Sequence, residues 1–212
     1  MVRQDITTFI VSIPSDITIV AATKYVDSFD MRKLYDSGIK NFGENRVDSF
    51  LNKYNDLKDL DVTWHFIGHL QRNKAKEVIG KIDYLHSLDS LDLAKIINER
   101  AQKPLKCFIE VSINLEETKN GVPFMELEPF IKEVLKFKNI ELVGLMMMAI
   151  KESEENSLNH QFESLRLLRD EMEKKFNIKL PYLSMGMSDD YLEAINQGAT
   201  HIRLGRILYE SK

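Results

Sequence analysis

A single cysteine, Cys107, stands among 212 residues, so no internal disulfide can form, which fits a reducing compartment. Long apolar runs are also missing. The longest, Leu142–Ile150, is too short to cross a bilayer. Met1–Phe9 contains charges and no sustained apolar core, so no signal peptide is expected. Neither sign of charge dominates: the net charge is −4 with both signs interspersed, which argues against a nucleic-acid surface. No low-complexity tract or Pro/Gly linker divides the chain. His65, His69 and His86 lack a metal-ligand spacing with acidic partners, so no metal site is expected. These absences leave a soluble cytoplasmic protein with one core in one domain, residues 1–212.

What the sequence does contain is a series of eight short apolar runs. They are Ile17–Thr23, Ile39–Phe42, Val62–Ile67, Ile82–His86, Leu105–Ile113, Ile140–Met148, Pro181–Met185 and Thr200–Leu204. Stretches of helical spacing separate them, which argues for βα units and a parallel sheet. Eight units predict an α/β fold closed into a single (β/α)8 TIM-like barrel. Such barrels typically run to roughly 250 residues, so the loops here must be tight and a second domain has no room. Ser90 or Asp89 can cap a helix whose stripe is Leu93, Ile96, Ile97 and Ala101. Leu158, Phe162, Leu165, Met172 and Phe176 form a second stripe, and both are read as facing the barrel. Asp5–Ile13 is read as a short extra helix plugging the barrel floor, and the last helix as short or absent.

Alternation along the strands predicts which side chains point inward. Trp64 and Phe66 facing helices turn His65 inward; Ile202 and Leu204 facing helices turn His201, Arg203 and Gly205 inward. By the same alternation Cys107 faces helices as a buried thiol. Functional residues of such barrels gather at the C-terminal strand ends. That rule places Lys24, Glu44, Asn45, His69, Ser188, Gly205 and Arg206 around one mouth, with His65 and Arg203 beneath it.

Three pieces of this mouth suggest chemistry. A lysine ending an apolar strand in a confined space, as Lys24 does, loses solvation and becomes a nucleophile toward carbonyls. The plainer reading of Lys24 alone is a surface lysine. Gly186-Met187-Ser188 and Gly205-Arg206 follow the seventh and eighth strands, where barrels often bind phosphate. Ser188 alone could equally be a helix cap. Arg203 could meet a pyridine nitrogen between these two points, and as a pure donor it would keep that nitrogen unprotonated. The alternative pairs Arg203 with Glu110, and the two can coexist. Arg72, Lys74 and Lys76 are read as a solvated face, and Met146, Met147 and Met148 as core and barrel lining.

Together these residues carry a pattern. Its first pieces are Ala21-Ala22-Thr23-Lys24, Phe42-Gly43-Glu44-Asn45, Trp64-His65-Phe66-Ile67-Gly68-His69-Leu70-Gln71 and Asn73-Lys74. Gly144-Leu145-Met146, Leu183-Ser184-Met185-Gly186-Met187-Ser188-Asp189-Asp190 and Arg203-Leu204-Gly205 complete it. In this order, over nearly the whole chain, they resemble the pyridoxal phosphate homeostasis protein family. The resemblance implies a barrel of the alanine racemase N-terminal-domain type with a short N-terminal extension and no second β domain. It implies pyridoxal 5'-phosphate as cofactor, held by a reversible internal aldimine on Lys24. Asn45 matches the asparagine near the ring, Ser188 and the Gly205 amide match phosphate ligands, and Arg203 matches the arginine facing the ring nitrogen. His65 and Arg206 complete the expected cofactor-binding set.

The implied role is non-catalytic: buffering or delivery of the cofactor, with an indirect effect on amino-acid and keto-acid balance. PLP-dependent apoenzymes are the expected recipients; nucleic acid and membrane are not expected partners, and the chain is expected to be monomeric. The alternative is an amino-acid racemase or lyase of the alanine racemase type. That enzyme brings a tyrosine base from a second domain, for which this sequence leaves no room. A barrel that has lost the cofactor is a third reading, favoured only by Arg206, which stands where the family usually has threonine. The stretch before Ile17 is also shorter than the family's, and Ile207-Leu208-Tyr209-Glu210 differs from its glycine-containing end.

Overall fold

The computed structural model describes residues 1–112, 120–150 and 155–209, with no side chain described at positions 155 and 156. Its strands are β1 (Thr18–Ala22), β2 (Asn41–Glu44), β3 (Thr63–Phe66), β4 (Tyr84–Leu88) and β5 (Leu105–Ser112). They continue with β6 (Val122–Pro123), β7 (Ile140–Met146), β8 (Tyr182–Ser184) and β9 (His201–Leu204). All pairings in the sheet are parallel, and it closes through β4–β5 and β1–β9. Eight strands make the barrel, while the two-residue β6 only extends β5 at its C-terminal end. Each of the eight apolar runs overlaps one barrel strand, and β2 and β4 run on past the second and fourth runs to Glu44 and Leu88; Ile113, the end of the fifth, lies outside the described residues.

The outer wall is aliphatic and aromatic. α1 (Ile6–Ser12), α2 (Ser28–Asp36), α3 (Val47–Asp56), α4 (Arg72–Val78), α5 (Leu91–Arg100), α6 (Leu127–Val134), α7 (Glu155–Phe176) and α8 (Tyr191–Asn196) surround the strands. α5 begins where Ser90 accepts from the Leu93 amide, and its Leu93 and Ile97 pack into the core. Phe162, Leu165 and Met172 do the same for α7. Trp64, Phe66, Ile202 and Leu204 join this layer, as alternation predicts, and so does Cys107. Burial pushes the Cys107 thiol far above its usual range, which makes it unreactive.

α1 departs from the sequence reading, since it covers the outer wall and not the floor. Phe9 packs edge-on against Tyr191 of α8 at 6.1 Å. Val2 bridges to Tyr209, and the Arg3 amide donates to the Leu208 carbonyl at 3.1 Å. After β9 the described residues form a 3₁₀ turn, Arg206–Leu208. Ile6, Phe9 and Ile13 of the N-terminal segment join the core of the wall.

The interior is different. His65, Tyr84, His86, Phe108, Tyr182 and His201 point inward and pack ring against ring. His65 lies parallel to Tyr84 at 4.7 Å, His86 stacks on Phe108 at 4.4 Å, and His201 meets Tyr182 edge-on at 4.9 Å. This aromatic plug fills the lower barrel and leaves the space above it for the site.

The packing of α3 on β3 rests on Phe50, fully buried with its ring 5.2 Å from Trp64 and 5.5 Å from Tyr54. Phe50→Ala is expected to cost about 3–5 kcal/mol. Urea unfolding checks this, and a loss under about 1 kcal/mol would show that the aromatic contacts carry little of the barrel's stability.

Candidate functional site

Lys24 stands two residues past β1, and the tight pairing of its neighbour holds it there. The carbonyl of Thr23 accepts from Lys53 Nζ of α3 at 2.6 Å, and the same ammonium donates to Glu44 Oε1 at 2.5 Å. The Thr23 hydroxyl also donates to Glu44 Oε1. Both members of the Lys53–Glu44 pair are buried, a costly arrangement made tolerable by the added hydrogen bonds. It anchors the backbone directly before Lys24. Glu44 is therefore not at the mouth: Phe42 and Glu44 share the outer face of β2, which turns Gly43 inward.

Above the aromatic plug opens a cavity of about 650 Å3. Lys24, Asn45, Ser188, Arg203, Gly205 and Arg206 all line it, with Met1, Tyr25, Met148 and Tyr209 at its edges. Six of the seven residues expected from the sequence thus converge. His65 does not. It lies fully buried deeper in the barrel, bonded to Asn41 and His86, because its strand ends before the mouth. His69 sits at an adjoining depression with Asn45 and Lys74, its Nδ1 2.9 Å from Asp89. Met148 is exposed at the rim, whereas Met146 and Met147 are core. Arg72 and Lys74 pair with Asp92 and Asp48 on the surface.

Lys24 is exposed, not enclosed as the sequence suggested, with Nζ 4.5 Å over the Tyr25 ring. Opposite it, Ser188 does not cap α8; Asp190 occupies that position, its carboxylate accepting from the Met187 amide at 2.5 Å. Ser188 Oγ instead accepts from the amides of Gly205 at 3.1 Å and Ile207 at 3.4 Å. With two donors on its oxygen, the hydroxyl proton remains free for an acceptor in the cavity. Gly186 makes this loop possible: its φ is +90°, and a Cβ there would stand 2.6 Å from the Ala194 Cβ. Arg206 turns outward to pair with Asp189, both exposed, so its guanidinium is not committed to the cavity.

Arg203 closes the inner side. Its Nη1 donates to Ser184 Oγ at 2.6 Å and its Nη2 to the Met147 carbonyl at 2.8 Å. The direct pairing with Glu110 considered from the sequence is not made. Burial draws the guanidinium down to about 10, opposed by Glu110 and Asp190, so it stays cationic at neutral pH. Five donors against two protein acceptors leave N–H groups for a ligand. Asn45 supplies the complementary need: its Oδ1 is buried without a partner. Gly68 lets it sit there, since a Cβ at Gly68 would lie 2.5 Å from the Asn45 carbonyl.

An amine, a free hydroxyl proton beside a glycine turn and a donor-only cation thus face one cavity, and the buried Asn45 Oδ1 lies without a partner at its wall. They fit a ligand with an aldehyde, an anionic end, an acceptor ring nitrogen and a hydroxyl. The sequence reading missed Lys53, Ser184 and Tyr209. Lys53 follows Phe50 by three on the apolar face of α3, which is the one signal it offers. No cluster of three or more metal-ligating side chains and no helix long and apolar enough to cross a membrane occurs among the described residues.

Residues 25–212 match the family described as alanine racemase, N-terminal domain. A pyridoxal phosphate homeostasis protein of Aquifex aeolicus is 43% identical over 194 residues, spanning 90% of this chain and 85% of that protein. The structure of PipY from Synechococcus elongatus with PLP bound is 29% identical, with a TM-score of 0.91 over 97% of this chain and 100% of that one. An alanine racemase of Clostridium difficile has a TM-score of 0.81 at 16% identity, covering 100% of this chain and 58% of that one, a likeness of fold alone.

Glu110 points inward on β5 toward Asp89, Arg203 and His69. Burial and then Asp89 raise its carboxyl from 4.5 to about 7, against Arg203 and His69. The native chain therefore keeps this proton after the unfolded chain has released it. The stability it confers is full below about pH 4.5 and is lost as pH rises through about 7. Glu110→Gln is expected to flatten that loss and to stabilise the protein at pH 8 relative to the parent. Urea unfolding at pH 5 and pH 8 measures it; identical pH dependence in both proteins would contradict the burial argument.

Proposed function

The chain belongs to the pyridoxal phosphate homeostasis protein family, and we propose that it binds pyridoxal 5'-phosphate at this mouth and buffers or delivers it in the cytoplasm. The observation that carries the reading is the convergence of Lys24, Ser188, Arg203 and Asn45 on one cavity. When bound, the cofactor supplies an aldehyde that condenses reversibly with a primary amine. Lys24 Nζ is that amine, on an exposed side chain at the cavity. The Ser188 hydroxyl and the turn at Gly205 hold the anionic end, where glycine admits close approach. Arg203 faces the ring nitrogen as a donor, which keeps that nitrogen an acceptor and the ring a poor electron sink. Asn45 Oδ1 accepts from the ring hydroxyl.

These roles bind and orient; they do not include a second base. Tyr209 reaches the cavity edge, but burial pushes its hydroxyl above its ordinary range and the atom is enclosed. Reversible binding is thus favoured over racemisation, and fold likeness to alanine racemase does not change that. PLP-dependent apoenzymes are the recipients this role implies, with the chain acting as a monomer.

The test is an absorption spectrum with pyridoxal phosphate, then borohydride reduction and peptide mass mapping. A visible band and a pyridoxyl adduct on Lys24, both lost in Lys24→Ala, are expected. A folded protein with no band and no adduct at saturation would refute the proposal. Incubation with single-enantiomer alanine is expected to leave the enantiomer intact; sustained racemisation dependent on Lys24 would make the chain an enzyme.

A further inference from the structure

Below the cavity a chain of polar side chains leads away from Arg203, and its other members take no part in the proposed cofactor binding. Arg203 of β9 donates from Nη1 to Ser184 Oγ of β8 at 2.6 Å. Ser184 Oγ lies 2.8 Å from His86 Nδ1 on β4. His86 Nε2 lies 2.9 Å from His65 Nδ1 on β3, and His65 Nε2 lies 2.9 Å from Asn41 Oδ1 on β2. Five strands contribute, and the chain crosses the barrel from one wall to the other.

The Asn41 end decides the direction of every proton, and the Arg203 end is compatible with it. Asn41 Oδ1 only accepts, so His65 carries its hydrogen on Nε2. A neutral imidazole has one N–H, so His65 Nδ1 accepts and His86 donates from Nε2. His86 Nδ1 then accepts in turn, and the Ser184 hydroxyl must donate to it. That leaves the Ser184 oxygen with lone pairs alone toward Arg203, which can only donate. Both histidines are fully buried, and the cost of charging them there keeps them neutral, with His201 and Arg203 adding to that cost. His65 stacks on Tyr84 and His86 on Phe108, which holds both rings in place.

We infer that His86 is a positioning residue for Arg203, fixing through Ser184 where the guanidinium points into the cavity, with His65 and Asn41 fixing His86 in turn. The inference rests on the reading of Arg203 as the group facing the cofactor ring. Arg203 has two anchors, one on each terminal nitrogen. Loss of the Ser184 anchor leaves it free to pivot about the Met147 carbonyl. Removing the acceptor for the Ser184 proton has the same result, because the hydroxyl then competes as a donor.

Two measurements test it. Long-range 15N–1H correlation on the labelled protein at pH 7, without cofactor, reads both tautomers: Nε2–H and neutral for His65 and His86 is expected. Hydrogen on Nδ1 of either ring, or a cationic ring, overturns the inference. Titration with pyridoxal phosphate then compares variants. His86→Leu is expected to bind about tenfold more weakly, the loss of roughly one charge-assisted hydrogen bond, and to shift the visible band. His86→Gln, whose amide accepts at one atom and donates at the other, is expected to bind like the parent. If Leu and Gln behave alike, His86 only fills space and the inference falls. Should His86→Leu not fold, Ser184→Ala deletes one oxygen and carries the same expectation. A parent protein that binds no pyridoxal phosphate refutes the proposed function, while the tautomer measurement still decides the chain.

Discussion

Closure of the sheet between β1 and β9 is the constraint on which everything else depends. With Ala21 opposite Leu204, the segments that leave the two strands run side by side. Lys24 and the Gly205 turn are thereby brought to one mouth, though 181 residues apart in sequence. The neighbouring strands add Asn45 after β2 and Ser188 after β8. An open sheet would scatter these four groups along two edges. The N-terminal segment joins the core of the wall through Ile6, Phe9 and Ile13.

The two halves of the barrel interior obey different physics. The upper half is a solvent-connected cavity with unspent hydrogen-bonding capacity at Arg203 and the Ser188 proton, and with the unpartnered Asn45 Oδ1 buried in its wall. The lower half is filled by rings, and with His65, His86 and Ser184 fully buried each polar atom of the hydrogen-bonded chain is matched, since an unmatched group there would be costly. Arg203 belongs to both. Buried below and presented above, it transmits the order of the lower network to the site. A second buried system, Lys53–Glu44, holds the opposite wall at Thr23. The site thus has rigid support under the ring end and behind the amine, while Lys24 itself stays exposed.

Much of this was legible in the sequence, because strand period is a local property. Two-residue alternation around Trp64 and Phe66 turns His65 inward, and the same logic at Ile202 and Leu204 places Arg203. The C-terminal strand-end rule supplies Lys24, Asn45, Ser188 and Arg206, and together these account for the six of seven expected site residues that meet. The misplacements have a different origin. Glu44 was assigned to the mouth by its position at a strand end, although Phe42 already marks its face as outward; its partner Lys53 lies on a helix. His65 points inward as expected but too deep, which depends on barrel height. Asp5–Ile13 is amphipathic in sequence, and that pattern cannot say whether it covers floor or wall. The Ser184–His86 contact joins residues 98 apart, a distance no local pattern reaches.

The most direct measurement of the central claim is a crystal structure of the protein grown with pyridoxal phosphate. The account predicts density continuous with Lys24 Nζ, its phosphate at Ser188 and the Gly205 turn, and its ring nitrogen opposite Arg203. Cofactor density joined to another lysine, or a phosphate bound away from that turn, would contradict it.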